Sequence, residues 1–161
     1  MKMKVAVVMG SKSDQPVVEK TVEELKDFGV EVEWRILSAH RTPEETHDFA
    51  LHAKENGIEC IIACAGKAAH LAGVIAGVTT LPVIGLPMKS STMDGLDSLL
   101  SVVQMPKGVP VATVAIGGAE NAAILAVQIL ALKYPELEER LVAYKARMAS
   151  RILDLDAEMR A

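Results

Sequence analysis

Ser38-Ala39-His40-Arg41-Thr42-Pro43 is the stretch of this chain whose side chains could do chemistry together. A titratable imidazole stands beside a guanidinium, which offers proton transfer next to an anion anchor. A surface loop can carry His-Arg for solubility alone, so the surrounding chain has to decide. The apolar run Val32 to Leu37 precedes the stretch and reads as a strand. Thr42 is placed to cap a helix, Pro43 suits its first position, and Glu45 completes the pattern of a capping box. Ser38 to Arg41 are therefore expected at the carboxyl end of a strand, the edge at which open α/β sheets bind ligands.

The elements that must position this loop alternate along the chain. Lys4 to Met9 is a nearly continuous apolar run, as in a strand buried on both faces. Gly10-Ser11-Lys12-Ser13-Asp14 turns the chain, and Ser13 or Asp14 can cap a helix with Pro16 in its first turn. Val18, Val22, Leu25 and Phe28 form that helix's apolar stripe, and Gly29 closes it. After the Ser38 loop a helix runs from Pro43 to Glu55 and stops at Asn56-Gly57. Glu59 to Ala65 is a third strand, and Gly66-Lys67-Ala68-Ala69-His70-Leu71 leads into a small-residue helix reaching about Gly77. Leu81 to Leu86 is a fourth strand, followed by a loop from Pro87 to Met93 that contains Ser90-Ser91-Thr92. A helix over Gly95 to Val103, a fifth strand over Val109 to Ile116 and an Ala-rich helix from Gly117-Gly118 to about Leu132 complete the alternation. Strands and helices alternating at this spacing predict a flavodoxin-like α/β three-layer sandwich with a five-stranded parallel sheet, ordered 2-1-3-4-5.

Tyr134-Pro135 begins something different. Leu137, Leu141, Tyr144, Met148, Ile152, Leu155 and Met159 recur at intervals of three and four, so Pro135 to Arg160 reads as one amphipathic helix. At about 39 Å it is as long as the domain is wide, and one sheet layer is a poor cover for so long a stripe. Residues 1–133 are thus expected to be a flavodoxin-like catalytic domain. Residues 134–161 are expected to be a C-terminal oligomerisation helix packing on a neighbouring subunit.

Composition narrows the partners. The chain has 161 residues, half of them hydrophobic, which excludes disorder and suits one full core. A net charge of −4 with 3% aromatic residues argues against nucleic acid, which wants a basic face and stacking rings. No apolar run approaches the roughly 20 residues that span a bilayer, and no signal sequence opens the chain, so neither membrane nor export is expected. Cys60 and Cys64 would lie about 13 Å apart in a strand, too far for a disulfide. They read as buried reduced thiols of a cytoplasmic protein.

In the expected sheet the loops after the first three strands share one edge. They bring Gly10, Ser11, Ser13 and Asp14 near Ser38, Ala39, His40 and Arg41, and near Gly66 to His70. Hydroxyls, helix starts and an arginine suit a phosphate or carboxylate, and Asp14 could accept from sugar hydroxyls or simply cap its helix. No Gly-x-Gly-x-x-Gly follows the first strand, and Gly66-Lys67 lacks the rest of a Walker loop. The first and third strands end in Met9-Gly10 and Ala65-Gly66, without the acidic pocket of a response-regulator receiver, and five aromatics are too few to cover a flavin. His47 and His52 fall on different helical faces and are poor metal partners.

Taken together, Gly10-Ser11-Lys12-Ser13-Asp14, Ser38-Ala39-His40-Arg41-Thr42-Pro43, Ala68-Ala69-His70-Leu71 and Gln104-Met105-Pro106, with Gly95-Leu96-Asp97-Ser98-Leu99, resemble one family. It is the N5-carboxyaminoimidazole ribonucleotide mutases of purine biosynthesis (class I PurE), and the likeness covers essentially the whole chain. The resemblance implies an octamer with the C-terminal helix exchanged between subunits, and no cofactor: no ATP, metal or biotin. It implies movement of a carboxylate from the exocyclic nitrogen of an aminoimidazole ribonucleotide to a ring carbon. By motif, Ser11 and Asp14 would bind the ribose-phosphate, Arg41 the phosphate, and His40 would be the general acid/base. The loop of Gly66, Lys67, Ala68, Ala69, His70 and Leu71 would enclose the imidazole and the migrating carbon dioxide. Decarboxylation needs a proton on nitrogen, recarboxylation releases one from carbon, and a single imidazole can do both in turn. A closed pocket would retain the carbon dioxide between the steps.

Three residues depart from the mutase pattern Ala-Gly-Ala-Gly-Gly-Ala-Ala-His-Leu-Pro-Gly, namely Cys64, Lys67 and Ala72. Cys64 reads as a core substitution and Ala72 as a change in a helix start. The related class II aminoimidazole ribonucleotide carboxylases, which take carbon dioxide from solution, carry a basic residue near Lys67. They also typically replace Arg41 by lysine and lack the Ala-Ala-His run, both of which this chain keeps in mutase form. The mutase is the expectation, with Lys67 as a solvated loop residue. The carboxylase and a non-catalytic nucleotide-binding paralogue are the alternatives.

Overall fold

Parity along the buried strands sorts the core into two faces. The computed structural model describes residues 3–160. In β1 (Lys4–Met9), Val5, Val7 and Met9 join one apolar cluster, while Ala6 and Val8 join the other. In β3 (Cys60–Ala65), Cys60, Ile62 and Cys64 take the first side, and Ile61 and Ala63 the second. A strand whose two faces both need covering must have helices on both sides, and it does. The first cluster takes in Val18, Val22 and Leu25 of α1 (Gln15–Asp27) and Ala122, Ala126 and Val127 of α5 (Ala119–Ala131). The second takes in Phe49 and Ala50 of α2 (Pro43–His52), Leu71 and Ile75 of α3 (Leu71–Ala76), and Val102 of α4 (Leu96–Val103).

With β2 (Glu31–Ile36), β4 (Val83–Pro87) and β5 (Ala112–Thr113), the sheet runs β2-β1-β3-β4-β5, parallel at each pairing. This is the expected flavodoxin-like order. Register aligns Met9 with Ile36 and Cys64, and Ala65 with Pro87, so four strands end at one level. The level is what makes their loops a single site.

Several boundaries differ from expectation for identifiable reasons. β5 is two residues long rather than Val109 to Ile116. It has a neighbour on one side only, and Pro110 has no N–H to give, so the ladder is confined to Ile84–Ala112 and Gly85–Thr113. α2 ends at His52, three residues early, and the chain then closes through Gly57 N–H on Lys54 O and Ile58 N–H on Ala53 O. That is a Schellman turn, and Gly57 supplies its φ of +79°. Gly85 is required by contact: a Cβ there would overlap Val102 Cγ1 of α4.

Helix α6 (Pro135–Arg160) is one unbroken helix. Its Leu137 and Leu141 are buried, and Tyr144 meets Phe28 with ring centroids 5.5 Å apart. Arg140 donates to the Phe28 carbonyl, fastening this end to the close of α1. Beyond that point Met148, Ile152, Leu155 and Met159 are exposed, so the second half of the stripe has no cover among the described residues. Among the described residues, no helix is long and apolar enough to cross a membrane.

Candidate active site

Three of the four site loops, those after β1, β2 and β4, start from a main-chain bond that overruns the strand. Gly10 N–H donates to Cys64 O, Leu37 N–H to Met9 O and Met88 N–H to Ala65 O, each at 3.0 Å. The loops beyond these anchors enclose an open cleft of about 270 Å³. Gly10, Ser11, Ser13 and Asp14 line it from β1, and Ser38, Ala39, His40 and Arg41 from β2. Gly66, Lys67, Ala68, His70 and Leu71 line it from β3. Of the residues expected there, Ala69 alone is not at the wall: it is fully buried and packs beneath the loop.

The Ser38 loop is folded around its own hydroxyls. Ser38 Oγ accepts from Arg41 N–H at 3.1 Å and Arg41 Nε–H at 3.3 Å. Thr42 Oγ1 accepts from Ser38 N–H at 2.9 Å and donates to Ser38 O at 3.0 Å. The expected capping box therefore does not form, since Thr42 stands at the N-cap with its hydroxyl spent on Ser38 instead of the helix. Thr46, wholly buried, donates to Thr42 O at 2.7 Å and braces the turn from inside the helix. The guanidinium of Arg41 also donates to Gly10 O at 3.1 Å, so one side chain ties the first loop to the second.

His40 and His70 come from different loops and meet. His40 Nε2 and His70 Nδ1 lie 2.8 Å apart, with the rings edge to face at 83°. Two nitrogens at that distance share a hydrogen, so one ring donates and the other accepts. In the first loop, Ser11 Oγ accepts from Ser13 N–H and lies 2.9 Å from Ser13 Oγ, capping a short 3-10 turn. Asp14 follows at the N-cap position of α1, but its side chain makes no capping bond. Burial without a partner pushes the Asp14 carboxyl above its ordinary value.

The fourth loop joins the cleft through Lys89, Ser90 and Ser91, which the sequence reading left unassigned. A signal existed. β4 lies beside β3 in the expected order, so a hydroxyl-rich loop after it had to open on the same edge. Ser90 is buried and organises the loop: it donates to Asp97 Oδ1 at 2.6 Å and accepts from Met93 N–H and Gly95 N–H at 3.3 Å.

The departures from the mutase pattern have distinct surroundings. Cys64 is wholly buried, and desolvation, with the Asp14 carboxylate adding to it, drives its thiol pKa upward. Burial likewise pushes Cys60 up to about 12, and both thiols are free. Ala72 is buried in the first turn of α3. Lys67 is exposed at the wall of the cleft and holds φ at +54°. A side chain disfavours that region, whereas the glycine of the mutase pattern enters it freely.

These features define a flavodoxin-like α/β protein with a histidine pair and an Arg41 tied to Gly10 at the carboxyl edge of its sheet, the edge at which such sheets bind ligands. The profile of the AIR carboxylase family matches residues 4–151, and the chain belongs to that family. It is 57% identical over 145 residues to an N5-carboxyaminoimidazole ribonucleotide mutase of Pyrococcus abyssi, covering 90% of this chain and 83% of that one. It is 55% identical to the mutase of Thermotoga maritima, over 94% and 88% of the two chains. Among solved structures, PurE of Treponema denticola superposes with a TM-score of 0.89 at 30% identity, covering 99% of this chain and all of the other.

Proposed function

We propose that this protein is a purine-biosynthetic mutase that converts N5-carboxyaminoimidazole ribonucleotide to its 4-carboxy isomer. Relatives more than half identical over nine-tenths of the chain carry that activity in their names. The observation that carries the chemistry is the His40–His70 contact at 2.8 Å, set in the cleft that also holds Arg41. In the proposed reaction the bond between the exocyclic nitrogen and the carboxyl carbon breaks, carbon dioxide is released, and His40 gives a proton to that nitrogen. The ring carbon then attacks the carbon dioxide, and the proton it loses returns to His40. Nothing is consumed, and the ring ends in the protonation state in which it began. His70 holds the His40 ring through their shared hydrogen. Arg41 takes the phosphate, while Ser11, Ser13 and Asp14 face the ribose-phosphate.

The uncovered half of α6 supports packing on a second copy of the chain, in the octamer that the family resemblance implies. Two buried free thiols suit the cytoplasm. Truncation after Lys133 should give smaller species in light scattering. A truncated protein that remains an octamer would remove α6 from the assembly.

Isotope labelling tests the function itself. With substrate labelled in its nitrogen-bound carboxylate, the product should keep the label under a flush of unlabelled carbon dioxide, without bicarbonate or ATP. A carboxylase, the reading favoured by Lys67 at the cleft wall, would instead act on the uncarboxylated nucleotide plus dissolved carbon dioxide. Turnover of that nucleotide with the nitrogen-carboxylated one inert would overturn the proposal.

A further inference from the structure

The hydroxyl of Ser98, on α4, is wholly buried and has no hydrogen-bond partner among the described residues. A serine hydroxyl rotates freely to find an acceptor, so an orphan in a packed interior is costly and needs a cause. Gly66 of the site loop lies close to it. A Cβ added at Gly66 would lie 3.9 Å from Ser98 Oγ and 3.6 Å from Met88 Cβ. One turn along α4, Ser101 donates to Asp97 O at 2.7 Å but reaches Lys67 O at only 3.4 Å. Two hydroxyls of one helix thus underlie the Gly66–Lys67 segment: Ser101 reaches it with a long bond, and Ser98 makes none.

The segment is held at one end, where Ala69 N–H donates to Lys67 O at 2.9 Å, but its central peptide is open. Lys67 holds φ at +54°, and neither the Gly66 carbonyl nor the Lys67 N–H is hydrogen-bonded to another described residue. Turning over the peptide between them would change ψ of Gly66, which glycine tolerates, and carry φ of Lys67 into the extended range. Such a turn reorients the carbonyl beside a helix face that has a donor waiting.

We infer that Ser98 is a positioning residue for the Gly66–Lys67 peptide, which turns over when the carboxylated nucleotide binds and sets a main-chain carbonyl on the Ser98 hydroxyl. The free enzyme carries an orphan hydroxyl and a strained lysine, and the bound enzyme carries neither. Ligand affinity and loop geometry are coupled through that difference. The inference rests on the mutase reading for its ligand.

Thermal unfolding of Ser98→Ala with and without the ring-carboxylated product nucleotide tests it. The free variant should melt at or above the parent temperature, because a cost present only in the free state has been removed. The product-induced rise in Tm should shrink, with binding roughly 3- to 10-fold weaker, as expected for one lost hydrogen bond. Lys67→Gly should also raise the free Tm and weaken binding by a few-fold, since it relieves the free conformer alone. A purely structural Ser98 would lower the free Tm and leave the product-induced rise unchanged. Either of those results overturns the inference. A parent protein that shows no product-induced rise at all overturns the mutase reading, and the loop coupling falls with it.

Discussion

At the amino edge of the sheet, Glu59 accepts from Lys133 and from Tyr134 at 3.1 Å, and Lys4 meets Glu33 at 2.7 Å. At the carboxyl edge, neither Asp14 nor the Ser98 hydroxyl has a hydrogen-bond partner among the described residues, and Lys67 sits at a φ its side chain disfavours. Pairing at the amino edge is incomplete in one respect, since Glu59 Oε2 has no bond, but the same carboxylate is held through Oε1. The two edges belong to one sheet and are built from the same kinds of residue. Polar groups at the first edge join the start of β3 to the corner between α5 and α6. At the second, the loops bond among themselves but leave the Asp14 carboxyl and the Ser98 hydroxyl without partners among the described residues. In the proposed reading, stability and ligand binding are thus concentrated at opposite ends of the same strands.

Three substitutions break or sharpen this contrast. The largest effect should come from His40→Asn, which keeps a hydrogen-bonding side chain and removes the titratable one. We expect kcat to fall about 10²- to 10⁴-fold, with nucleotide affinity and Tm close to the parent's. Steady-state kinetics beside equilibrium binding would check this, and near-normal turnover would remove His40 from the mechanism.

Asp14→Asn should have an intermediate effect, in opposite directions for binding and stability. Losing hydrogen bonds to a charged acceptor should weaken nucleotide binding about 10- to 100-fold. Stability should rise at pH 7, for a reason fixed by the sign of the pKa shift. Burial raises the folded-state value above the ordinary 3.8, so the fold is favoured while the group is protonated. That stability is lost as pH rises from the ordinary value through the raised one, and the cost is constant above it. The advantage of the asparagine variant in Tm should therefore vanish in acid, below about pH 4. A variant less stable than the parent at neutral pH would mean that Asp14 has a partner after all.

The smallest effect should come from Glu59→Gln, at the paired edge. Partly exposed ion pairs contribute little, so Tm should fall by about 2 °C, with kcat and KM unchanged. A change in turnover there would dissolve the distinction between the edges.

Much of this was legible in the sequence because it follows from period and punctuation. The buried runs, the closing glycines at Gly29 and Gly57 and the strand order required nothing beyond local pattern and crossover handedness. Strand order then placed His40, Arg41 and the Gly66 loop on one edge. Side-chain choices were not legible. Thr42 has the spacing of a helix cap, yet its hydroxyl serves Ser38, because that bond depends on torsions the motif does not specify. The meeting of His40 and His70 joins residues thirty positions apart, and no local rule fixes the distance. β5 is shorter than its apolar residues suggest, because its place at the sheet's edge and Pro110 limit its pairing.

The overrunning bonds at Gly10, Leu37 and Met88 give the cleft a lifetime as well as a shape. An amide held by a neighbouring strand meets solvent only when that part of the sheet opens, an event far slower than loop motion. The first residues of three site loops therefore keep the slow clock of the core. The amides of Lys89 and Ser91, exposed and without a main-chain acceptor among the described residues, are expected to keep the fast clock of the surface. In the mutase reading, an entering nucleotide would meet a floor fixed by the sheet and a rim free to move on a faster timescale.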